Sequence, residues 1–297
     1  MFKKSTLPLI FFAILSQVSA QAFSSSGFET PESMQVDPED GSYYVSNING
    51  DPFQMDGNGF ISKISANGNI VIQKFIGAKS EDATLHAPKG LVVAGKEIYV
   101  TDVNKIKVFN KQTGKTVATV DMTPFNVKFL NDITRDSRGL LYVSDMLANK
   151  IYKIDPKRKY EVSVFKEGDV LGQPNGLVIN PRNQNLMVVT WKTGEILEID
   201  SSGKIHKLKR GLKALDGIDY DVEGTMYVSS FEKGEIYKIP NYGRGILSIY
   251  LAGLETPADI SCDRKRHELL IPLYRGNFVM TYPLFKKDAN SENAAGA

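Results

Sequence analysis

Six short phrases in this 297-residue chain share one plan, and their second position is polar where a strand bound for a core should be apolar. They are Pro31-Glu32-Ser33-Met34, Pro88-Lys89-Gly90-Leu91, Leu130-Asn131-Asp132-Ile133, Pro174-Asn175-Gly176-Leu177, Leu215-Asp216-Gly217-Ile218 and Pro257-Ala258-Asp259-Ile260. Their first residues are 57, 42, 44, 41 and 42 positions apart. The second column reads Glu32, Lys89, Asn131, Asn175, Asp216 and Ala258. Asx side chains are common before strands because they bond nearby backbone N–H groups, so one alone carries no functional meaning. Four oxygen-bearing side chains in six equivalent positions point further. Gathered on one axis, Glu32 and Asp216 would repel, and one would take up a proton. A divalent cation resolves the conflict. Two carboxylates balance its charge, two amide oxygens add neutral ligands, and water completes the shell, which suits Ca²⁺ ahead of Mn²⁺ or Mg²⁺. A typical structural zinc site would draw on Cys or His, and the column holds neither.

Such a column can converge only if each phrase opens an equivalent unit. The phrase runs into an apolar strand such as Gly176-Leu177-Val178-Ile179, and a polar turn such as Asn180-Pro181-Arg182-Asn183 follows. Alternating strands come next, for example Leu141-Tyr142-Val143-Ser144 and Ile151-Tyr152-Lys153-Ile154, and a weaker one such as Glu161 to Phe165 closes the unit. Four short β-rich strands per ~40–45 residues, without helical periodicity, predict a β-propeller blade. The expected fold is all-β: a six-bladed propeller of four-stranded antiparallel blades over residues 21–285, each first strand lining a central channel. The sixth unit supplies only three strands, Asp259–Cys262, Leu269–Leu273 and Phe278–Tyr282. Its outer strand is expected from the N-terminus, around Ala22 to Phe28, which would remove a free edge.

The first spacing exceeds the rest by about fifteen residues, and the excess lies at 48–58, between the second and third strands of blade one. That loop should overhang the channel mouth above Glu32. It is either a solvated hairpin or a partial lid with Phe53 or Met55 over substrate. Asp51, Asp56 and Asn58 lie within it but lack EF-hand spacing.

Composition is ordinary for a globular protein: 42% hydrophobic, 24% charged, net charge +2. Charges are interspersed and no nucleic-acid-binding motif occurs, so nucleic acid is not an expected partner. Residues 1–20 read as a signal peptide: basic Lys3-Lys4, an apolar run from Leu7 to Leu15, and a small-residue site ending at Ala20. Cleavage after Ala20 predicts a secreted or periplasmic protein with no membrane span afterwards. Residues 286–297 read as a disordered tail. Cys262 is the single cysteine, so no internal disulfide forms, and it is expected as a buried, inert thiol.

The phrases Glu32-Ser33, Asn131-Asp132, Asn175-Gly176-Leu177 and Asp216-Gly217-Ile218 resemble the metal-binding positions of the gluconolactonase/regucalcin (senescence marker protein) family of six-bladed propellers. The resemblance implies direct ligation by Glu32, Asn175 and Asp216, with Asn131 close to both metal and substrate. The related paraoxonases also place an Asn-Asp pair at Asn131-Asp132. Ca²⁺ is the ion so implied, with Mn²⁺, Mg²⁺ or Zn²⁺ as alternatives because members accept several divalent cations. Two departures stand out. Phe129 occupies the position of an Arg that helps regucalcin-like enzymes hold a sugar lactone, and Lys89 stands where paraoxonases have His.

The implied activity is an exported, divalent-metal-dependent hydrolase of a lactone or related ester, acting as a monomer on a small molecule. The cation would polarise the carbonyl while a carboxylate takes the water's proton, Asp216 first and Asp132 as the alternative. Lys89 would stabilise developing charge or hold a substrate carboxylate; otherwise it snorkels to solvent or pairs with Glu32. Trp191 and Tyr274 end second strands near the same mouth, where they would stack on a ring or pack into the wall. No Gly-x-Ser-x-Gly elbow, His-Glu-x-x-His pair or phosphate-binding Gly-rich loop is present. Of the three histidines, His86 precedes blade two near the mouth, while His206 and His267 read as exposed. The competing reading is a non-catalytic propeller that binds a ligand or protein, its ion purely structural.

Overall fold

Alternation of apolar and polar residues gives each unit a small sheet that cannot bury its faces alone, so the units stack around an axis. The computed structural model describes residues 22–77 and 83–284. The expected signal peptide and tail lie outside them. Blade one comprises β2 (Pro31–Val36), β3 (Tyr43–Asn47), β4 (Phe60–Ile64) and β5 (Ile70–Gly77). Blade two follows with β6 (Pro88–Ala94), β7 (Glu97–Asp102), β8 (Lys105–Asn110) and β9 (Thr116–Asp121). Blade three has β10 (Leu130–Arg135), β11 (Leu141–Asp145), β12 (Lys150–Asp155) and β13 (Glu161–Glu167). Blade four has β14 (Pro174–Ile179), β15 (Leu186–Thr190), β16 (Ile196–Ile199) and β17 (Ile205–Lys209). Blade five has β18 (Leu215–Tyr220), β19 (Met226–Ser230), β20 (Glu235–Ile239) and β21 (Ser248–Leu251). Blade six combines β22 (Ser261–Asp263), β23 (Glu268–Leu273) and β24 (Phe278–Pro283) with β1 (Ser24–Ser26) from the N-terminus.

The expected closure therefore holds. Ser24, Ser25 and Ser26 pair antiparallel with Met280, Val279 and Phe278. Phe28 is buried beside Met34, Tyr43, Val45 and Val279, which ties the closing strand to blade one. Each inner strand touches the next around the ring, from β2 through β6, β10, β14 and β18 to β22 and back to β2. An apolar cluster fills each blade interface. Between blades two and three, for example, Ile106, Val108 and Met122 meet Leu130, Leu141 and Tyr152. Burying each such side chain contributes roughly 1.5–3 kcal/mol, and this interlocking stabilises a chain without disulfides. Cys262 is buried and unbonded, its thiol pushed well up by burial and by Asp219, as an inert core cysteine should be. No helix among the described residues is long and apolar enough to cross a membrane.

A repeated irregularity explains why the second column is polar. In blade three Leu130 faces Asp145 and Ile133 faces Val143, so three steps on the inner strand oppose two on its partner. The same shift falls inside the phrases of blades one, two, four and five. This is a β-bulge, which bends the strand and re-aims its side chains toward the axis. A bulge leaves one N–H without a ladder partner. Second-strand hydroxyls accept it: Ser33 N donates to Ser46 Oγ (3.0 Å), Asp132 N to Ser144 Oγ (2.9 Å) and Gly217 N to Ser229 Oγ (2.7 Å). The third column carries glycine where the neighbouring inner strand comes closest. A Cβ on Gly176 would lie 2.2 Å from the Asp216 carbonyl oxygen, and one on Gly217 would lie 2.2 Å from Ile260 N.

Candidate functional site

The bulges bring Glu32, Asn131, Asn175 and Asp216 together on the floor of one cavity of about 240 Å³, all four buried. Asn131 Nδ2 donates to Asn175 Oδ1, and Asn175 Nδ2 donates to the Leu215 carbonyl at 3.3 Å. Two carboxylate oxygens have no such partner: Glu32 Oε2 and Asp216 Oδ1 are buried with no hydrogen bond. An unpaired buried carboxylate is costly, and two facing one cavity more so. Burial, then the charges of Asp259, Asp216 and Asp132, hold the Glu32 carboxyl well above its ordinary range, opposed by Lys89. Burial and Asp259 raise Asp216 in the same way, against the bond from Asn175. Two orphaned carboxylate oxygens with two amides beside them fit a hard divalent cation in donor type and charge. Among the described residues no three Asp, Glu, His or Cys side chains gather in metal-holding geometry, so a cation here would have to draw on the amide oxygens as well.

The insertion over 48–58 forms part of the cavity wall. Pro52 and Phe53 line it, and the Phe53 ring packs on Phe129 with centroids 4.8 Å apart. Phe53 remains 53% exposed, so it makes a rim rather than a closed cover. Met55 is not among the lining residues. Asp51 and Asp56 spend oxygens on local turns, accepting from Phe53 N and Asn58 N. His86 anchors the loop, its Nδ1 accepting from Gly57 N at 3.0 Å.

Lys89 neither snorkels nor pairs with Glu32. It is 2% exposed. Its Nζ donates to Pro52 O (2.9 Å) and Ala87 O (3.1 Å) and lies 4.6 Å from the centre of the Phe129 ring. Burial lowers its pKa to about 8 despite the pull of Glu32, Asp102 and Asp51. Trp191 and Tyr274 both line the cavity, joined through Phe231, whose ring centre is 5.4 Å from one and 5.5 Å from the other. The wall and stacking readings merge, because these packed rings are themselves the cavity surface.

Asp132 departs from its expected place as an alternative base at this mouth. Its oxygens accept from Ile133 N and Leu177 N, both at 2.6 Å, which staples blade three to blade four. It lines a separate cavity of about 210 Å³ with Arg135, Asp219, Asp259 and Arg264. The bulge turns position three away from position two, so adjacent residues of one phrase serve different cavities.

Residues 30–262 match the SMP-30/gluconolactonase/LRE-like region. The chain belongs to that family. The comparison with curated proteins returned no match. Similar solved structures include a catalytically inactive variant of virginiamycin B lyase from Staphylococcus aureus with quinupristin, at 16% identity, covering 89% of this chain and 100% of that one with a TM-score of 0.60. A streptogramin B lyase structure shares 16% identity over 92% of this chain and 91% of that one, TM-score 0.62. A Bacteroides thetaiotaomicron protein described as of unknown function shares 14% over 86% and 70%, TM-score 0.65. At these identities the likeness is one of fold.

Sequence reasoning missed part of this family member's cavity. Ile48, Met146, Leu147 and Phe231 also line it. A signal was present in the repeat. The residue after each second strand reads Ile48, Val103, Met146, Trp191, Phe231 and Tyr274. Five of these six form the wall. Each of the five donates its N–H to the residue preceding its blade's phrase, as Met146 N does to Phe129 O (2.9 Å) and Phe231 N to Ala214 O (2.9 Å). One column supplies the floor and this second column supplies the wall.

Proposed function

We propose that the protein is a divalent-cation-dependent hydrolase of a lactone or related ester, with Glu32, Asn175 and Asp216 holding the ion and Asn131 beside it. The observation that carries the reading is the pair of orphaned carboxylate oxygens, Glu32 Oε2 and Asp216 Oδ1, at the bottom of a substrate-sized cavity. When bound, the cation keeps both carboxylates ionised and polarises the carbonyl. Asp216 takes a proton from water as the water oxygen bonds to the carbonyl carbon. The ester C–O bond then breaks, and the proton passes to the departing alkoxide, leaving a hydroxy acid. Asn131 fixes the substrate against this floor, and the aromatic wall limits the entry of bulk water.

The fold neighbours include lyases, but the observations favour hydrolysis. The S. aureus lyase is inactivated by replacing a histidine with alanine. None of the three histidines here lines the cavity, and His86 is committed to the rim loop. A non-catalytic ligand-binding propeller remains the second reading, favoured by Phe129, whose ring is spent on Phe53 and Lys89. Calorimetry with Ca²⁺ and Mn²⁺, joined to a lactone and ester panel with and without EDTA, separates them. Hydrolysis is expected with cation, abolished by EDTA and reduced ~10²–10⁴-fold in Asp216→Ala. Tight cation binding without turnover of any ester or lactone would leave the binding module standing.

A further inference from the structure

The lining of the cavity divides by chemistry. Its ionic and amide groups, Glu32, Asn131, Asn175 and Asp216, sit on the floor. The rest of the wall is aliphatic and aromatic: Ile48, Pro52, Phe53, Phe129, Met146, Leu147, Trp191, Phe231 and Tyr274, with Ala258 in the sixth column position. The one charged side chain outside the floor set is Lys89. Its Nζ donates to Pro52 O and Ala87 O and lies 4.6 Å from the centre of the Phe129 ring. A sugar lactone presents hydroxyls around its whole ring, and this wall would leave most of them unpaired.

We infer that the site selects a compact, apolar, ring-bearing lactone or ester over a polyhydroxylated one, because outside the floor set its lining carries one charged side chain, Lys89, among aliphatic and aromatic residues. The inference rests on the hydrolase reading for its chemistry but on the wall for its specificity. The two rows of rings, Phe53–Phe129 and Trp191–Phe231–Tyr274, face a ligand with flat apolar surfaces. The space is sufficient. A cavity of about 150 Å³ lined by apolar side chains takes up benzene, and this one is about 240 Å³. One aromatic ring fused to the reacting ring fills it.

Trp191 is the only tryptophan in the chain, so its fluorescence reports on this wall without labelling. Three δ-lactones share the reacting ring and differ in decoration: dihydrocoumarin, δ-valerolactone and glucono-δ-lactone. Each is titrated into the Ca²⁺- and Mn²⁺-supplemented protein while Trp191 emission and hydrolysis are followed in parallel. Dihydrocoumarin is expected to quench saturably and to exceed glucono-δ-lactone in kcat/KM by about 100-fold or more. Phe231→Ala is expected to weaken the dihydrocoumarin midpoint about tenfold while leaving the cation affinity unchanged, which shows that the floor is intact. Equal or better turnover of glucono-δ-lactone would overturn the inference while the hydrolase reading stands. Saturable quenching by dihydrocoumarin without turnover of any lactone would sink the hydrolase reading and keep the ligand class. No response of Trp191 to any of the three, with cation bound, would overturn the inference outright.

Discussion

Gly217→Ala tests the link between ring geometry and the proposed metal set most directly. The new methyl would meet Ile260 N at 2.2 Å, Asp259 Cα at 2.7 Å and Asp259 C at 2.9 Å. All three are backbone atoms, so no rotamer change relieves them. Ordinary contact begins near 3.4 Å, so the inner strands of blades five and six must part by about 1 Å. Overpacking of this kind costs about 1–3 kcal/mol. For a protein of this size each kcal/mol shifts Tm by about 2–4 °C, so a fall of about 2–12 °C is expected. Asp216 precedes the substituted residue, and its carbonyl oxygen already packs against Gly176. The strand therefore cannot retreat without carrying Asp216, a proposed ligand, with it, and cation affinity should fall at least about tenfold. Thermal melting in EDTA measures the first effect and calorimetry with Ca²⁺ the second. A variant that melts within about 1 °C of the parent and binds Ca²⁺ equally well would refute the nested-strand argument.

Other perturbations probe separate parts. Because Glu32 and Asp216 hold their protons to higher pH than ordinary carboxylates, Ca²⁺ must displace protons, so calorimetry should show weaker binding at about pH 5 than at about pH 8, with proton release. Glu32→Gln removes one of the two balancing charges and should lower Ca²⁺ affinity at least about tenfold. Lys89 is charged below about 8 and neutral above it. The KM for an apolar lactone should therefore rise as pH passes that value, and Lys89→Arg, charged throughout, should move or remove the inflection. Phe28→Ala empties a buried site where the closing strand meets blade one. It should cost about 3–5 kcal/mol, read as a lowered urea midpoint with the m-value unchanged.

The floor was legible in the sequence because repetition marks it. Six phrases at near-equal spacing put Glu32, Asn131, Asn175 and Asp216 in register, and a closed ring of equivalent units leaves them only the axis to occupy. The N-terminal outer strand followed from a missing element in blade six. Asp132 misled because its chemistry equals that of its neighbours, and one residue along a strand reverses the direction of a side chain. The fate of Lys89 was not legible either. Its acceptors are carbonyl oxygens of Pro52 and Ala87, and backbone positions leave no trace in residue type. Phe231 and Met146 were concealed differently. The column that follows each second strand mixes Ile, Val, Met, Trp, Phe and Tyr, so it looks like ordinary core until the N–H bonds to the preceding loop are seen.

The bulge in the inner strands has a consequence for how such a protein changes over time. Its shape is held by main-chain pairing and, in blades one, three and five, by serine hydroxyls on the adjacent strand, none of which depends on the side chain presented at the axis. The five bulged positions thus behave as interchangeable sockets in a fixed rack. Carboxylate, amine and amide already occupy them in this one molecule. The chemistry presented at the centre can be rewritten one socket at a time while the surrounding wheel keeps its form.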